Sequence, residues 1–326
     1  MKPVVFVSAR ISKEALQLLQ EHCTVHLNDK KGTPLTSAEL LQAAKDVQGL
    51  LCAFNDRVDR DFISQATNLK VISSFTAGVN NIDLQAATEH KIIVTNTSSA
   101  VADTKADLTW GLLIAVARRI VEGDRYVKRE KKGQSKPPGS LNGADLVGKT
   151  LGIIGMGHFG QCVACRAKGL VMPVLFYQRR QLTAEEEKEL NASYATLEEL
   201  LQKSDYVTLH LPLTEETRHL ISAKELRMMK KSAFLINTSR GPVVDEKALL
   251  QALQEKRIAG AGIDVYEKEP EITPGLTELD NIVLTPHIGG STMGTQKRMA
   301  LLAAQNLIDV LQGRRPRHVV NPEVLE

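Results

Sequence analysis

Residues 151–160 read LGIIGMGHFG, in which an apolar run of strand character closes on three glycines, Gly155, Gly157 and Gly160, spaced GxGxxG. An amphipathic segment, residues 161–168, follows at once. In that order the first glycine permits a tight turn, the second lets main chain approach a pyrophosphate, and the third lets the helix sit close on the strand. The start of the helix then offers unpaired N–H groups to an anion. A plain glycine-rich turn would need neither strand nor helix in register. The motif therefore predicts a dinucleotide-binding βα unit opening near Gly148.

The chain has 326 residues, so two domains are expected at about 150 residues each. Upstream, short apolar runs at 4–7, 25–27, 50–52, 71–72 and 92–94 alternate with amphipathic segments at 13–20, 37–44, 61–66 and 84–89. This is the pattern of buried parallel strands joined by helices. A proline-free segment from Val101 to Arg129 predicts one long interdomain helix. Downstream, six strands are expected, at 151–154, 174–177, 206–209, 233–237, 261–263 and 282–284, which suits a dinucleotide fold. The last amphipathic segment, 296–312, has no strand after it and is expected to pack back on the first unit.

A ribose-binding acid belongs about 20 residues beyond the glycines. Here Tyr177 is followed by Gln178, Arg179 and Arg180. A carboxylate would hold both ribose hydroxyls of NAD and repel the added phosphate of NADP. Guanidinium groups can instead bind that phosphate, each hydrogen bond contributing about 1.5–3 kcal/mol. NADP(H) is expected as the preferred cofactor and NAD(H) as the second, the alternative being two solvated arginines.

Three polar residues stand where strands end: Arg240 in AFLINTSRG, Glu269 in DVYEKEP and His287 in LTPHIGG. Ligands of open α/β sheets bind beyond the carboxyl ends of strands, so the three can share one crevice. Reducing a 2-oxo acid needs a cation for the carboxylate, a proton donor for the forming alkoxide, and a carbonyl carbon held close to a nicotinamide. Arg240 meets the first need with its planar donor fork. His287 meets the second, and Glu269 would fix its tautomer and keep it protonated near neutral pH. Taken singly, Arg240 can brace a strand end, Glu269 can be surface charge, and His287 can cap a loop.

Composition narrows the classes further. A net charge of +3 with 4% aromatic residues does not mark a nucleic-acid binder. The longest apolar stretch, residues 110–117, stops at Arg118 and Arg119, short of the roughly 20 residues that a bilayer span needs. Arg10 follows the apolar start too closely for a secretory signal. Four scattered cysteines suit a reducing compartment, and a cytoplasmic location is expected. Cys162 and Cys165 form a CxxC without a second pair, which predicts core packing and no metal. The basic run Arg125, Lys128, Arg129, Lys131, Lys132 and Lys136 reads as a solvated face, with attraction of anionic substrates as the alternative.

Several blocks together, FTAGVNNIDL (75–84), GKTLGIIGMGHFGQ (148–161), LHLPLTEETRHLI (209–221), INTSRGPVVDEKAL (236–249), AGIDVYEKEP (261–270) and LTPHIGG (284–290), carry a family likeness over nearly the whole chain. The sequence resembles the D-isomer-specific 2-hydroxyacid dehydrogenases, nearest their glyoxylate, hydroxypyruvate and 2-ketogluconate reductase branch. The resemblance implies NADPH-dependent reduction of small 2-oxo acids to D-2-hydroxy acids. It implies an α/β chain of two doubly wound domains, with a Rossmann domain (100–288) inserted into a flavodoxin-like substrate-binding domain (1–99 and 289–326). A homodimer formed through the 101–129 helix region is also implied, with no membrane and no nucleic-acid partner.

Residue by residue, the resemblance assigns the substrate carboxylate to N–H groups of Ala77, Gly78 and Val79 with Arg240, and proton transfer to His287 supported by Glu269. It places Gly155, Gly157, His158, Phe159 and Gly160 at the pyrophosphate, Gln178, Arg179 and Arg180 at the adenosine ribose, and Leu211 and Pro212 beside the nucleotide. Thr238, Ser239, Arg240, Asp264 and His287 fall on the nicotinamide side. Gly289 and Gly290 would let main chain approach the ring, a plain turn being the alternative. Thr104, opening the long helix after Asp103, faces the cofactor or serves as a helix-start residue. Ser140 stands where related glyoxylate reductases often carry a tryptophan, which leaves room for a longer acid. Two alternatives stay open. One is D-3-phosphoglycerate dehydrogenase, against which the chain ends soon after Gln312. The other is a non-enzymatic NAD(P)-sensing scaffold of the corepressor kind, against which no extended tails are seen.

Overall fold

Every strand pair in the computed structural model runs parallel, so each connection within a sheet must cross over it, and α-helices do so in all but the last, which holds only the 3-10 turn Leu276–Glu278. The structure describes all residues except 1, 29, 31–34 and 130–138. They form two compact units, Met1–Val101 with Gly290–Glu326, and Ala102–Gly289.

In the first unit, β1 (Val4–Val7), β2 (Thr24–Leu27), β3 (Gly49–Cys52), β4 (Val71–Ser74) and β5 (Ile93–Thr95) lie in the order β2-β1-β3-β4-β5, the flavodoxin-like arrangement. Alternate residues feed two layers. Phe6, Leu50 and Cys52 join one apolar cluster, whereas Val5, Val7 and Leu51 join the other. The terminal helix, Met293–Leu311, completes the second layer with Ala300, Ala303, Ala304 and Leu307. It packs on the first unit as its lone position in the sequence predicts. Helices Ser37–Ala44 and Leu84–Glu89 also fall where the pattern puts them.

The second unit contains β6 (Leu151–Ile154), β7 (Val174–Tyr177), β8 (Ala192–Tyr194), β9 (Tyr206–Leu209), β10 (Phe234–Asn237), β11 (Gly260–Ile263) and β12 (Ile282–Leu284), ordered β12-β11-β10-β9-β6-β7-β8. The chain builds outward one way from β6, then returns to β9 and builds the other way. That reversal is the dinucleotide-fold switch point, where such sheets open a crevice. Both units are doubly wound α/β folds. No helix among the described residues is long and apolar enough to cross a membrane.

Three expectations need correction. The sheet has seven strands, because the short β8 forms an edge beyond the six that were expected. The long helix is two helices, Ser98–Ala117 and Ile120–Arg129, broken where Arg119 takes a left-handed φ of 53°. The Ala117 carbonyl accepts from Ala144 N–H at 2.8 Å, and the Arg119 guanidinium pairs with Glu122 at 2.8 Å, so later residues hold the break. Cys162 is half-buried and Cys165 is exposed, so core packing does not hold for Cys165. Of the basic run, Arg125 and Lys128 are exposed, as a solvated face requires. Lys131, Lys132 and Lys136 lie outside the described residues.

Candidate active site

Two of the three glycines of the turn after β6 are required by the protein's own packing. Gly155 has φ +96°, and a Cβ there would stand 2.6 Å from the His210 carbonyl oxygen at the end of β9. A Cβ on Gly160 would stand 2.2 Å from the Gly155 carbonyl oxygen. Gly157 instead faces open space, with nothing within 4 Å of its built Cβ. The helix His158–Ala167 begins directly after Gly157 with no side-chain cap, leaving its first N–H groups to an outside acceptor. Gly160→Ala is expected to cost about 1–3 kcal/mol by overpacking, seen as a lower melting temperature and weaker dinucleotide binding.

Beside this turn lies a cavity of about 370 Å³ lined by Gly155, Gly157, Gln178, Arg179, Arg180, His210, Leu211 and Pro212, among others. Gln178 is committed to the turn, since its Oε1 accepts from Met156 N–H at 3.1 Å. Arg179 and Arg180 are exposed. Glu216 lines the same cavity. Its carboxyl is held below the usual range by the Thr214 hydroxyl first, with Arg179 contributing through its charge. His210 is half-buried, and its Nε2 is buried with no hydrogen-bond partner among the described residues. Burial, then the charge of Lys105, pulls its pKa down to about 3, so the imidazole is neutral. A nicotinamide dinucleotide fits this set: an uncapped helix start for its phosphates, open space at Gly157, an orphaned imidazole and two exposed cations.

The predicted catalytic residues come together at the far ends of β10, β11 and β12. His287 Nδ1 lies 2.7 Å from Glu269 Oε2, and Glu269 Oε1 accepts from Tyr266 N–H at 3.0 Å. Burial by itself would raise the Glu269 pKa. The hydrogen bonds from His287 and Tyr266, with the charges of His287 and Arg240, outweigh it and hold the carboxyl below its ordinary value. Arg240 is held by its own neighbourhood, with Nη1 donating to the Ser239 carbonyl at 2.7 Å. Burial lowers its pKa and Glu269 opposes that shift.

Asp264 braces the loop that carries the imidazole. One carboxylate oxygen accepts from Thr285 Oγ1 at 2.6 Å and Ile288 N–H at 2.8 Å, and the other accepts from Gly289 N–H at 2.9 Å.

The remaining residues divide. Thr238 Oγ1 pairs with Thr109 Oγ1 at 2.8 Å and Ser239 Oγ donates to Asn237 at 2.8 Å, so both hydroxyls are engaged inside the unit. Thr104 lies well inside the helix Ser98–Ala117, which corrects its helix-start alternative. A Cβ on Gly289 would lie 3.1 Å from Asp264 and Lys105 atoms, and one on Gly290 2.8 Å from Val101. Packing by the protein itself already requires both glycines. His158 is exposed and Phe159 half-buried at the helix start. In the first unit, the carbonyls of Ala77, Gly78 and Val79 are each engaged, by Asn96 Nδ2, Thr76 Oγ1 and Ile82 N–H respectively. Their three N–H groups have no acceptor among the described residues.

Residues 110–289 match the NAD binding domain of the D-isomer specific 2-hydroxyacid dehydrogenases. A glyoxylate reductase of Pyrococcus horikoshii is 44% identical over 330 residues, covering 100% of this chain and 98% of the relative. The chain belongs to the D-isomer-specific 2-hydroxyacid dehydrogenases. Among solved structures, a glyoxylate reductase from Paecilomyes thermophila superposes with a TM-score of 0.89 at 33% identity, covering 99% of both chains. An NADPH-dependent glyoxylate/hydroxypyruvate reductase from Sinorhizobium meliloti, in complex with NADP and malonate, gives 0.83 at 26% identity, covering 98% of this chain and 97% of that one. As a member of the family, the protein is an NAD(P)-dependent oxidoreductase of 2-hydroxy and 2-oxo acids. Sequence reasoning names Asp264 near the nicotinamide but not as the brace of the His287 loop, and it does not single out Lys105, which is buried in the helix Ser98–Ala117.

Proposed function

We propose that this dehydrogenase reduces small 2-oxo acids with NADPH, forming D-2-hydroxy acids from glyoxylate, hydroxypyruvate and 2-ketogluconate. The His287–Glu269 pair beside half-buried Arg240, at the carboxyl ends of strands in a nucleotide-binding sheet, carries the reading. When bound, the nicotinamide supplies a hydride to the substrate carbonyl carbon. Arg240 holds the carboxylate and polarises the carbonyl, and the N–H groups of Ala77, Gly78 and Val79 receive carboxylate oxygens. His287 Nε2–H donates its proton to the carbonyl oxygen as charge develops there, while Glu269 holds Nδ1–H.

Arg179 and Arg180 support NADPH, since both line the nucleotide cavity and no carboxylate ends β7. The Sinorhizobium relative, NADPH-dependent by its description, points the same way. Replacing both arginines by serine is expected to raise the KM for NADPH roughly ten- to hundredfold and leave NADH kinetics nearly unchanged. Ser140 supports the longer acid: it is exposed, and its carbonyl accepts from Arg119 Nη1 at 2.9 Å. A homodimer is supported by Ile120 and Val127 on one face of the helix Ile120–Arg129, 52% and 74% exposed. Sedimentation should then give twice the 35.8 kDa chain mass.

Steady-state loss of reduced-nicotinamide absorbance with each acid and each cofactor tests the whole reading. Turnover of glyoxylate and hydroxypyruvate with NADPH is expected, with 2-ketogluconate also accepted. No turnover of any 2-oxo acid would favour a nucleotide-sensing scaffold.

A further inference from the structure

Lys105 is a charged group that neither the glycine turn nor the Arg240–Glu269–His287 cluster uses. It sits in the helix Ser98–Ala117 and is only 9% exposed. Its Nζ stands 5.2 Å from the ring centroid of Phe159, the second residue of the uncapped helix after the turn. The stem of the side chain runs past Gly289, where a Cβ would lie 3.1 Å from its Cγ and Cε.

Among the described residues, Nζ makes no hydrogen bond or salt bridge. A lysine this deeply placed is ordinarily paired, because an unpaired buried ammonium is costly. The nearby anions are already engaged. Asp264 accepts three hydrogen bonds from residues 285–289, and Glu269 is shared between His287 and Tyr266. Arg240 faces Lys105 with like charge, and His210 is neutral. Asp264 and Glu269 act on Lys105 through their charge alone and neither hydrogen-bonds Nζ, so the ammonium keeps its donors for a bound anion, and the position over Phe159 puts it at the start of the phosphate-facing helix.

We propose that Lys105 is a further cofactor-binding residue, its ammonium held under the glycine turn to pair with the pyrophosphate of the dinucleotide. The proposal rests on the reading of that turn as the dinucleotide site. It has a protonic consequence. Burial first, then Arg240, lowers the Lys105 pKa to about 8, with Asp264 and Glu269 opposing. An anion binds the charged form and raises that value. Above pH 8 cofactor binding must therefore take up a proton, and affinity must fall as pH rises.

Calorimetric titration of the full-length protein at pH 7 and pH 9, in buffers of different ionisation enthalpy, reads both effects. NADPH, ADP-ribose and AMP are the probes. Lys105→Met is expected to weaken NADPH and ADP-ribose roughly ten- to hundredfold at pH 7 while leaving AMP, which lacks a pyrophosphate, unchanged. The wild-type protein should take up close to one proton on binding NADPH at pH 9. Lys105→Arg should bind tightly at pH 9 with no such uptake, because arginine stays charged, and this carries the test if the methionine variant does not fold. NADPH affinity unchanged in Lys105→Met, or proton uptake at pH 9 unchanged in Lys105→Arg, would overturn the proposal. So would a raised KM for the 2-oxo acid with unaltered NADPH affinity, which would give Lys105 to the substrate. A wild-type protein that binds neither NADPH nor ADP-ribose would instead overturn the underlying reading of the glycine turn.

Discussion

His287→Asn is expected to lower kcat for 2-oxo acid reduction by roughly a hundred- to ten-thousandfold, the range for losing a positioned proton donor, and to leave NADPH affinity unchanged. Asparagine is the informative replacement. His287 has a left-handed φ of 54°, a conformation that asparagine adopts more readily than most residues, so the loop can keep its path. Asparagine can still hydrogen-bond Glu269 but carries no titrating proton. Single-turnover kinetics would place the loss in the chemical step, whereas an equal loss in cofactor affinity would refute the assigned role.

Glu269→Gln separates charge from contact. The amide can keep a hydrogen bond to Nδ1, but the negative charge 2.7 Å from the imidazole is gone. kcat for reduction should then fall, because the imidazole has lost the anion that holds its tautomer and orientation. The wild-type carboxyl itself does not limit activity in the assay range. Its folded pKa is depressed, so it stays ionised at pH above about 4.3, the ordinary glutamate value, and the stability it contributes is lost only as pH falls below that value. A kcat in Glu269→Gln equal to that of the wild type would remove Glu269 from the mechanism.

Arg240→Lys is the second large effect, with kcat/KM expected to fall by roughly a hundred- to a thousandfold, comparable to deleting a donor to a developing oxyanion. The charge is retained, so the loss measures geometry. A guanidinium gives two parallel N–H groups to a carboxylate, whereas an ammonium gives one point contact. The half-buried site, braced by the Ser239 carbonyl, has no reason to refit around the shorter head. KM for the 2-oxo acid should rise along with the fall in kcat. Kinetics equal to wild type would show that charge alone suffices.

Much of this was legible because it depends on residue type at fixed spacing. The glycine turn announced its strand and helix, and the residues at 240, 269 and 287 stood at strand ends, where an open sheet brings them together. What was not legible depends on partners distant in sequence. β8 is three residues with only Ala192 buried, so it carries no apolar run and exists because β7 offers it an edge. The break at Arg119 has neither glycine nor proline to mark it. It is held by Ala144 and by Glu122, and only the folded chain brings Ala144 there. Lys105 looked like an ordinary position in an alanine-rich helix, and its burial follows from Phe159 and Gly289 closing over it. Cys165 was misjudged because i and i+3 share a helix face only approximately, and the edge of that face is wet.

The triple attachment of Asp264 has a consequence for redesign. Because one carboxylate following β11 holds the Thr285 hydroxyl on one side of Pro286–His287 and the Ile288 and Gly289 N–H groups on the other, the imidazole inherits its address from β11 and not from the surface segment in which it is written. Exchanging surface segments elsewhere, such as the stretch around Ser140, should therefore retune which acid is accepted while the proton donor keeps its station. Disturbing Asp264 should do the reverse, abolishing turnover for every acid alike.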